Sequence, residues 1–154
     1  MKKVIDDLSN ELKISCILVS HDPIDTLSWA DQILVLEKGN LIQKDEPQAV
    51  YFHPANEYAA SLFGTYNKLS SFLAQTFQQS AVSQPSFVRP QMFQLTSPEN
   101  GIEATITRIN FMGGYNQVEV EAHGDKIILN TMEPLLNLGD TVYIRLETKK
   151  PSEI

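Results

Sequence analysis

Ser20-His21-Asp22 is the first place in this chain where side chains able to do chemistry stand together. The histidine follows a continuous apolar run, Ser15-Cys16-Ile17-Leu18-Val19, and precedes Asp22-Pro23, a helix-start pair. A histidine just past the carboxyl end of a strand in an α/β sheet sits where ligands bind. There it can donate to a phosphate oxygen or hold a water in line for attack. The plain alternative is a loop histidine with no task. A Ser-His-Asp triad is rejected, because neighbouring residues on an extended chain point apart and triads are assembled from distant segments. His21, His53 and His123 lack ligand spacing, so no metal site is expected. Cys16, the lone cysteine, reads as core rather than nucleophile.

Phosphate-gripping chemistry is missing elsewhere. No Gly-rich loop followed by Lys-Ser/Thr occurs anywhere in the 154 residues. Gly113-Gly114 lies between strand-like runs and reads as a hairpin turn. Net charge is −7, with residues 1–64 carrying 5 Lys/Arg against 10 Asp/Glu, and residues 65–154 carrying 7 against 9. Neither half offers the basic surface a phosphate backbone requires, so nucleic acid is not an expected partner. No run approaches the ~20 apolar residues of a membrane-spanning helix. Met1-Lys2-Lys3-Val4-Ile5 has no apolar signal core, and a cytoplasmic address is expected.

The elements that would position His21 follow from periodicity. Val4, Ile5, Leu8 and Leu12 share one face of a helix over 2–13. It has no cap residue, and two lysines stand where the helix dipole favours acids. It is either a helix entered part-way or a frayed chain end. Residues 15–20 predict a strand buried on both faces. A helix should run from an Asp22 N-cap to about Ala30, with Pro23 at its first position and Asp25 reaching back as the capping acid. Residues 32–44 predict a hairpin turning at Lys38-Gly39-Asn40. Short helices are expected from Pro47 to Phe52 and from Asn56 to Phe63, the second ended by Gly64.

Residues 65–86 are rich in Ser and Gln. Leu69, Phe72, Leu73 and Phe77 give a helical face there, and 78–86 reads as linker. From Phe87 the pattern switches to period two: Ile102, Ala104 and Ile106; Val118 and Val120; Val142, Ile144 and Leu146. Gly113-Gly114, Gly124-Asp125 and Gly139-Asp140 separate the runs. Five or six short strands predict a small closed or half-closed barrel of the OB type.

Residues 14–64 resemble a known family. Ile17-Leu18-Val19-Ser20-His21-Asp22, Leu27, Ala30-Asp31-Gln32-Ile33, Gly39, Pro47, Tyr51, Pro54, Asn56 and Phe63-Gly64 stand in the order of the stretch after the Walker B strand in ABC importer ATPases. The branch is the one serving sugars, polyamines, ferric iron, sulfate and molybdate. Asp25-Thr26 replaces its usual Glu-Ala, and Asp45-Glu46-Pro47 its Gly-Thr-Pro. Arg89-Pro90 resembles the start of the family's accessory domain, with Gln91 in place of an acid. Phe111-Met112-Gly113-Gly114 and Leu138-Gly139-Asp140-Thr141-Val142 resemble its TOBE barrel.

The resemblance implies an α/β remnant of an ABC ATPase domain followed by a small all-β OB-like barrel. It divides the chain into 1–64, the carboxyl-terminal portion of the nucleotide-binding domain; 65–86, helix and linker; and 87–150, the TOBE barrel. It makes His21 the switch histidine, contacting the γ-phosphate of ATP and the attacking water in the intact parent. Walker A, Q-loop, signature and Walker B residues would lie upstream of Met1. ATP and Mg would therefore bind the parent, and the isolated chain would be inactive. Permease subunits and a second ATPase copy are the implied partners, on the inner face of the cell membrane. The alternative is a non-enzymatic regulatory or dimerising module.

Overall fold

The computed structural model describes residues 11, 13–20, 22–78 and 86–147. The helix expected over 2–13 falls almost wholly outside these residues, as do His21 and most of the linker expected over 78–86. The chain divides into two compact units between Gly64 and Thr65.

In the first unit, residues 14–20 form no strand. Ile17 is 94% exposed and Val19 88%. This corrects the expectation of a strand buried on both faces. Such a strand needs neighbours on both edges and a layer on each face, and the described residues supply neither. Cys16 is accordingly exposed rather than core.

Helix α1 spans Pro23–Thr26, shorter than the run to Ala30 expected from sequence. Pro23 takes the first turn, where its missing N–H costs nothing. Asp22 flanks it but makes no side-chain cap bond. The Thr26 hydroxyl donates to the Pro23 carbonyl at 2.6 Å. The Leu27 N–H donates to Ile24 O at 3.2 Å, a tightened turn that closes the helix early.

Strands β1 (Ile33–Glu37) and β2 (Asn40–Asp45) form the expected antiparallel hairpin. Lys38 and Gly39 turn it with φ of +50° and +82°, the left-handed pair that matches strand twist. The register slips between Val35 and Leu36, so that β2 has one residue more than β1. Helices α2 (Pro47–Phe52) and α3 (Glu57–Leu62) follow. Asn56 caps α3, its side-chain oxygen accepting from the Ala59 N–H at 2.9 Å. Ile33, Val35, Val50, Ala59 and Phe63 make the core of this unit.

The second unit opens with a strand that the sequence reading missed. β3 (Asn67–Leu69) pairs antiparallel with β4 (Ser86–Val88). Between them α4 (Ser71–Gln78) bears out the expected helical face only in part: Leu73 is buried and Phe77 packs against the core, but Phe72 is exposed and Leu69 belongs to β3. A five-stranded antiparallel sheet follows: β5 (Phe93–Thr96), β6 (Ile102–Phe111), β7 (Asn116–Ala122), β8 (Asp125–Thr131) and β9 (Thr141–Leu146), in the order β5-β9-β6-β7-β8.

The long strand β6 bends the sheet. Its first part pairs with β9, from Ile102 to Thr105, and the remainder pairs with β7 as far as Phe111. A bulge falls at Thr107, between the Ile106–Val120 and Arg108–Glu119 pairs. The Thr107 hydroxyl donates to Glu119 O at 3.1 Å. There Gly139 and Asp140 take over from β9. The Gly139 N–H donates to Ile106 O at 2.9 Å, and the Ile106 N–H to Asp140 O at 3.0 Å. The terminal strands β5 and β8 meet across the curl.

Period-two patterning sends one face inward. Phe93, Ala104, Ile106, Val118, Val120, Ala122, Ile127, Leu129 and Ile144 join Leu69, Leu73 and Val88 in one core. Phe77 packs edge-on against Phe93 at 5.5 Å between ring centroids. The outcome is the half-closed OB-like barrel that the alternation predicted. Truncating one such Leu or Ile to Ala typically costs about 2–5 kcal/mol.

Gly101 enters β6 with an ordinary φ, so its constraint is space rather than backbone angle. A Cβ there would lie 2.5 Å from Thr96 Cγ2 and 3.0 Å from Ile144 O. Gly101→Ala is expected to destabilise the second unit by about 1–3 kcal/mol through overpacking. Urea unfolding followed by circular dichroism checks this, and an unchanged midpoint refutes it.

Candidate functional site

The sequence points to the turn between residues 14–20 and α1. His21 itself lies outside the described residues, between Ser20 and Asp22. The Ser20 hydroxyl oxygen accepts from the Asp22 N–H at 3.0 Å and lies 3.2 Å from Asp22 O, as donor. The Ser20 side chain thus bonds both backbone groups of Asp22. Ile24, on the helix that follows, lies beside Gly64, whose φ of +93° ends α3. Asp25, the expected capping acid, has no described side chain.

The other two histidines are placed apart from this turn in the chain and have structural surroundings. His53 follows α2, and its carbonyl accepts from Gln43 Nε2 at 3.0 Å. His123 sits in the β7–β8 turn with φ of +52°, its ring 5.3 Å from that of Phe72. Among the described residues no group of three or more His, Cys, Asp or Glu is arranged to hold a metal ion.

Three residues carry structural work that sequence reasoning missed. Gln43 is a clamp. Its Nε2 donates to His53 O and to Asp45 Oδ2, and its Oε1 accepts from the Ala55 N–H at 2.9 Å. It pins the loop between α2 and α3 to the hairpin. Arg89 is 2% exposed, and its guanidinium donates to Thr65 O at 3.2 Å. The sequence marked it only through Arg89-Pro90, the pair that resembles the start of the accessory domain, with no sign that it is buried. Asn67 is 3% exposed and pairs with the backbone of Ile128 on both sides of its amide. Nothing in a Ser- and Gln-rich stretch distinguishes it.

The barrel surface carries polar pairs as well as exposed apolar residues, among them Phe111, Met132, Leu135 and Leu138. Tyr143 donates to Glu103 at 3.4 Å, and Lys126 pairs with Glu119 at 3.3 Å. Gln94 links the Arg145 guanidinium to the Glu147 carboxylate. The carboxyl of Glu99 is held below the usual carboxylate range by the Ser97 hydroxyl first, then by its own backbone N–H. These groups form surface hydrogen bonds rather than a converging set.

A half-closed barrel of this topology, preceded by a hairpin and short helices, can be compared with known proteins. Residues 87–150 match the TOBE domain family. The chain thus contains a TOBE domain, as the resemblance implied. It is also similar to the ATP-binding subunits of ABC importers. It is 28% identical over 163 residues to the Fe(3+) ions import ATP-binding protein FbpC 1 of Pectobacterium atrosepticum, covering 95% of this chain and 46% of that protein. It is 32% identical over 137 residues to the sulfate/thiosulfate import ATP-binding protein CysA of Burkholderia mallei, covering 79% and 39%. The FbpC of Serratia marcescens is 31% identical over 147 residues, covering 85% and 43%. The chain spans less than half the length of these relatives. No helix among the described residues is long and apolar enough to cross a membrane.

The exposure of residues 14–20 has a direct chemical readout. Cys16 is expected to react with a maleimide in the native chain at close to the rate of the unfolded chain. Strong protection without denaturant, measured by mass spectrometry, would mean that the segment is covered.

Proposed function

We propose that this chain is part of the ATP-hydrolysing subunit of an ABC importer, with His21 as the residue that senses the γ-phosphate. The observation that carries the proposal is the alignment of 95% of the chain with a protein named for ATP binding and ferric ion import. The TOBE match at residues 87–150 supports it from the other end of the chain.

In this reading, residues 1–64 are the carboxyl-terminal portion of a nucleotide-binding domain, an α/β remnant. Residues 65–86 connect it to the TOBE barrel. The bare apolar run supports the assignment. Ile14, Ile17, Leu18 and Val19 are exposed, and so is the outer hairpin face formed by Leu34, Leu36 and Leu41. Large apolar residues left bare in this number favour an interface, in this reading with the rest of a larger sheet. Residues 14–20 would then be a central strand, and His21 would stand past its carboxyl end, where α/β sheets place their ligands.

The chemistry assigned to His21 is a hydrogen bond to a γ-phosphate oxygen and to the attacking water. Ser20 and Asp22, the residues on either side of it, are bonded to each other. ATP and Mg are assigned to the whole subunit, because the phosphate-cradling loop is not in this sequence. A permease and a second ATPase copy are the proposed partners, at the inner face of the membrane. The relatives' names divide between ferric iron and sulfate/thiosulfate, so the reading stops at import.

His21→Ala in a longer subunit containing this chain is expected to lower ATP turnover by about 10²–10³, the usual cost of removing one group that stabilises transferring charge. ATP affinity should stay close to that of the unsubstituted subunit. Steady-state ATPase assays and nucleotide titration read the two effects separately, and near-normal turnover would sink the assignment.

A second reading is favoured by the barrel's having a complete core of its own. On that reading the chain acts as a regulatory or dimerising module with no nucleotide chemistry. Calorimetry of this chain with ATP tests the second reading alone. Measurable binding counts against a purely regulatory piece, and its absence is what either reading expects of the isolated chain.

A further inference from the structure

Asn100-Gly101 is the one Asn-Gly pair in the sequence, and every other asparagine is followed by a residue with a side chain. Asparagine is among the thermally labile residues. Its amide carbon can be attacked by the backbone nitrogen of the next residue, and glycine alone leaves that nitrogen unshielded and its dihedrals free. The pair lies between β5 and β6. Asn100 is exposed and closes a single 3₁₀ turn, Pro98–Asn100. Its N–H donates to Ser97 O at 3.1 Å, and its side chain has one tie, from Nδ2 to Ser97 Oγ at 3.1 Å. A 3₁₀ turn has poor hydrogen-bond geometry, so opening this one costs little. Gly101 is held far more closely. An added Cβ would meet Thr96 Cγ2 at 2.5 Å, Ile144 O at 3.0 Å and Ile144 N at 3.1 Å. Packing thus demands a glycine at the one position where it lays the Asn100 amide open to attack.

We propose that Asn100-Gly101 is a site of spontaneous covalent modification, at which the chain converts to an isoaspartyl linkage that its own packing does not accommodate. The Gly101 nitrogen loses its proton to hydroxide and bonds to Asn100 Cγ. The Cγ–Nδ2 bond breaks, and ammonia leaves with a proton from water. The cyclic imide then takes up water. Opening of its bond to Cγ gives aspartate, and opening of its bond to the main-chain carbonyl gives isoaspartate. The net change is amide plus water to acid plus ammonia, and nothing is oxidised or reduced. In the isoaspartyl form the main chain runs through Cβ and Cγ, so it gains a carbon immediately before Gly101. Thr96 and Ile144 leave no space for that carbon. Gly101 must then move away from β9, and the Ile102–Ile144 pair that begins the β6–β9 ladder is lost with it. The new charge matters less, because Asn100 and its neighbour Glu99 are exposed. The product carries a free α-carboxylate, the substrate class of methyltransferases that esterify isoaspartyl residues with S-adenosylmethionine. The proposal stands apart from the transport reading.

The test ages the full chain in mildly alkaline, heavy-oxygen water. Peptide mass spectrometry follows the acid formed, and an isoaspartyl methyltransferase with labelled S-adenosylmethionine counts the isoaspartate. Acid carrying solvent oxygen should accumulate at position 100 ahead of every other asparagine, at a rate that rises with hydroxide concentration. Methyl acceptance should grow in step with it. Asn100→Gln, which cannot close the same ring, should abolish both. Conversion at position 100 no faster than at the other asparagines overturns the proposal, and so does acid that accepts no methyl group.

The packing claim has its own readout. The aged chain should unfold at lower urea than the fresh chain and lose hydrogen-exchange protection over residues 102–105, the part of β6 that pairs with β9. Freshly prepared Asn100→Asp supplies the charge without the extra carbon, and should keep the midpoint of the fresh chain. The Asn100 side chain is exposed and its one bond is to an exposed serine, so both variants should fold. An aged chain that unfolds like the fresh one, or an Asn100→Asp chain that loses as much as the aged one, overturns the proposal.

Discussion

The second unit depends on one constraint: an antiparallel sheet must curl far enough for its inward face to exclude water. Strand β6 meets it by serving two partners, β9 along its first part and β7 along the remainder. The bulge at Thr107 supplies the bend, as bulges do at barrel corners. Once the sheet is bent, Ile106, Val118, Val120, Ile127, Leu129 and Ile144 converge on one volume. Without the bend the same side chains would line one face of an open sheet, half in water.

Curling brings the terminal strands together but does not pair them in a ladder. The gap is handled by side chains and short elements. Asn67 takes the edge of β8. Arg89 reaches the Thr65 carbonyl from inside the unit. The 3₁₀ turn Pro90–Met92 precedes β5, and the Glu147 N–H donates to Met92 O at 2.8 Å, continuing the β5–β9 pairing. A buried guanidinium or amide is costly unless bonded, so these contacts also specify which way the chain enters the barrel.

The first unit is organised by local rules instead. A two-stranded hairpin is marginal by itself, and this one is supported by α2 and α3 on one face only. Gln43, Asn56 and the Tyr58 hydroxyl, which donates to Leu36 O, hold the helices in place. The opposite face of the hairpin and residues 14–20 stay apolar and bare. The apolar run that resembles an ABC ATPase strand is thus where local preference and observed structure part.

Hairpin, helices and barrel strands were legible because each rests on a signal carried by neighbouring residues. Lys38-Gly39 suits a left-handed turn, Pro47 and Asn56 start helices, and alternation from Ile102 to Leu146 marks inward positions. The strand over 15–20 was legible as a preference but needed partners that no local pattern supplies. Strand β3 and Asn67 left no trace, since a polar residue in a Ser- and Gln-rich stretch looks like linker. The sequence by itself determined which residues are apolar, where turns fall, and that His21 follows a β-prone run. Only the tertiary structure decided which strand edges are covered and by what. Every residue but proline offers the same backbone N–H and C=O, so their partners are chosen by the closure of the sheet, not by residue type.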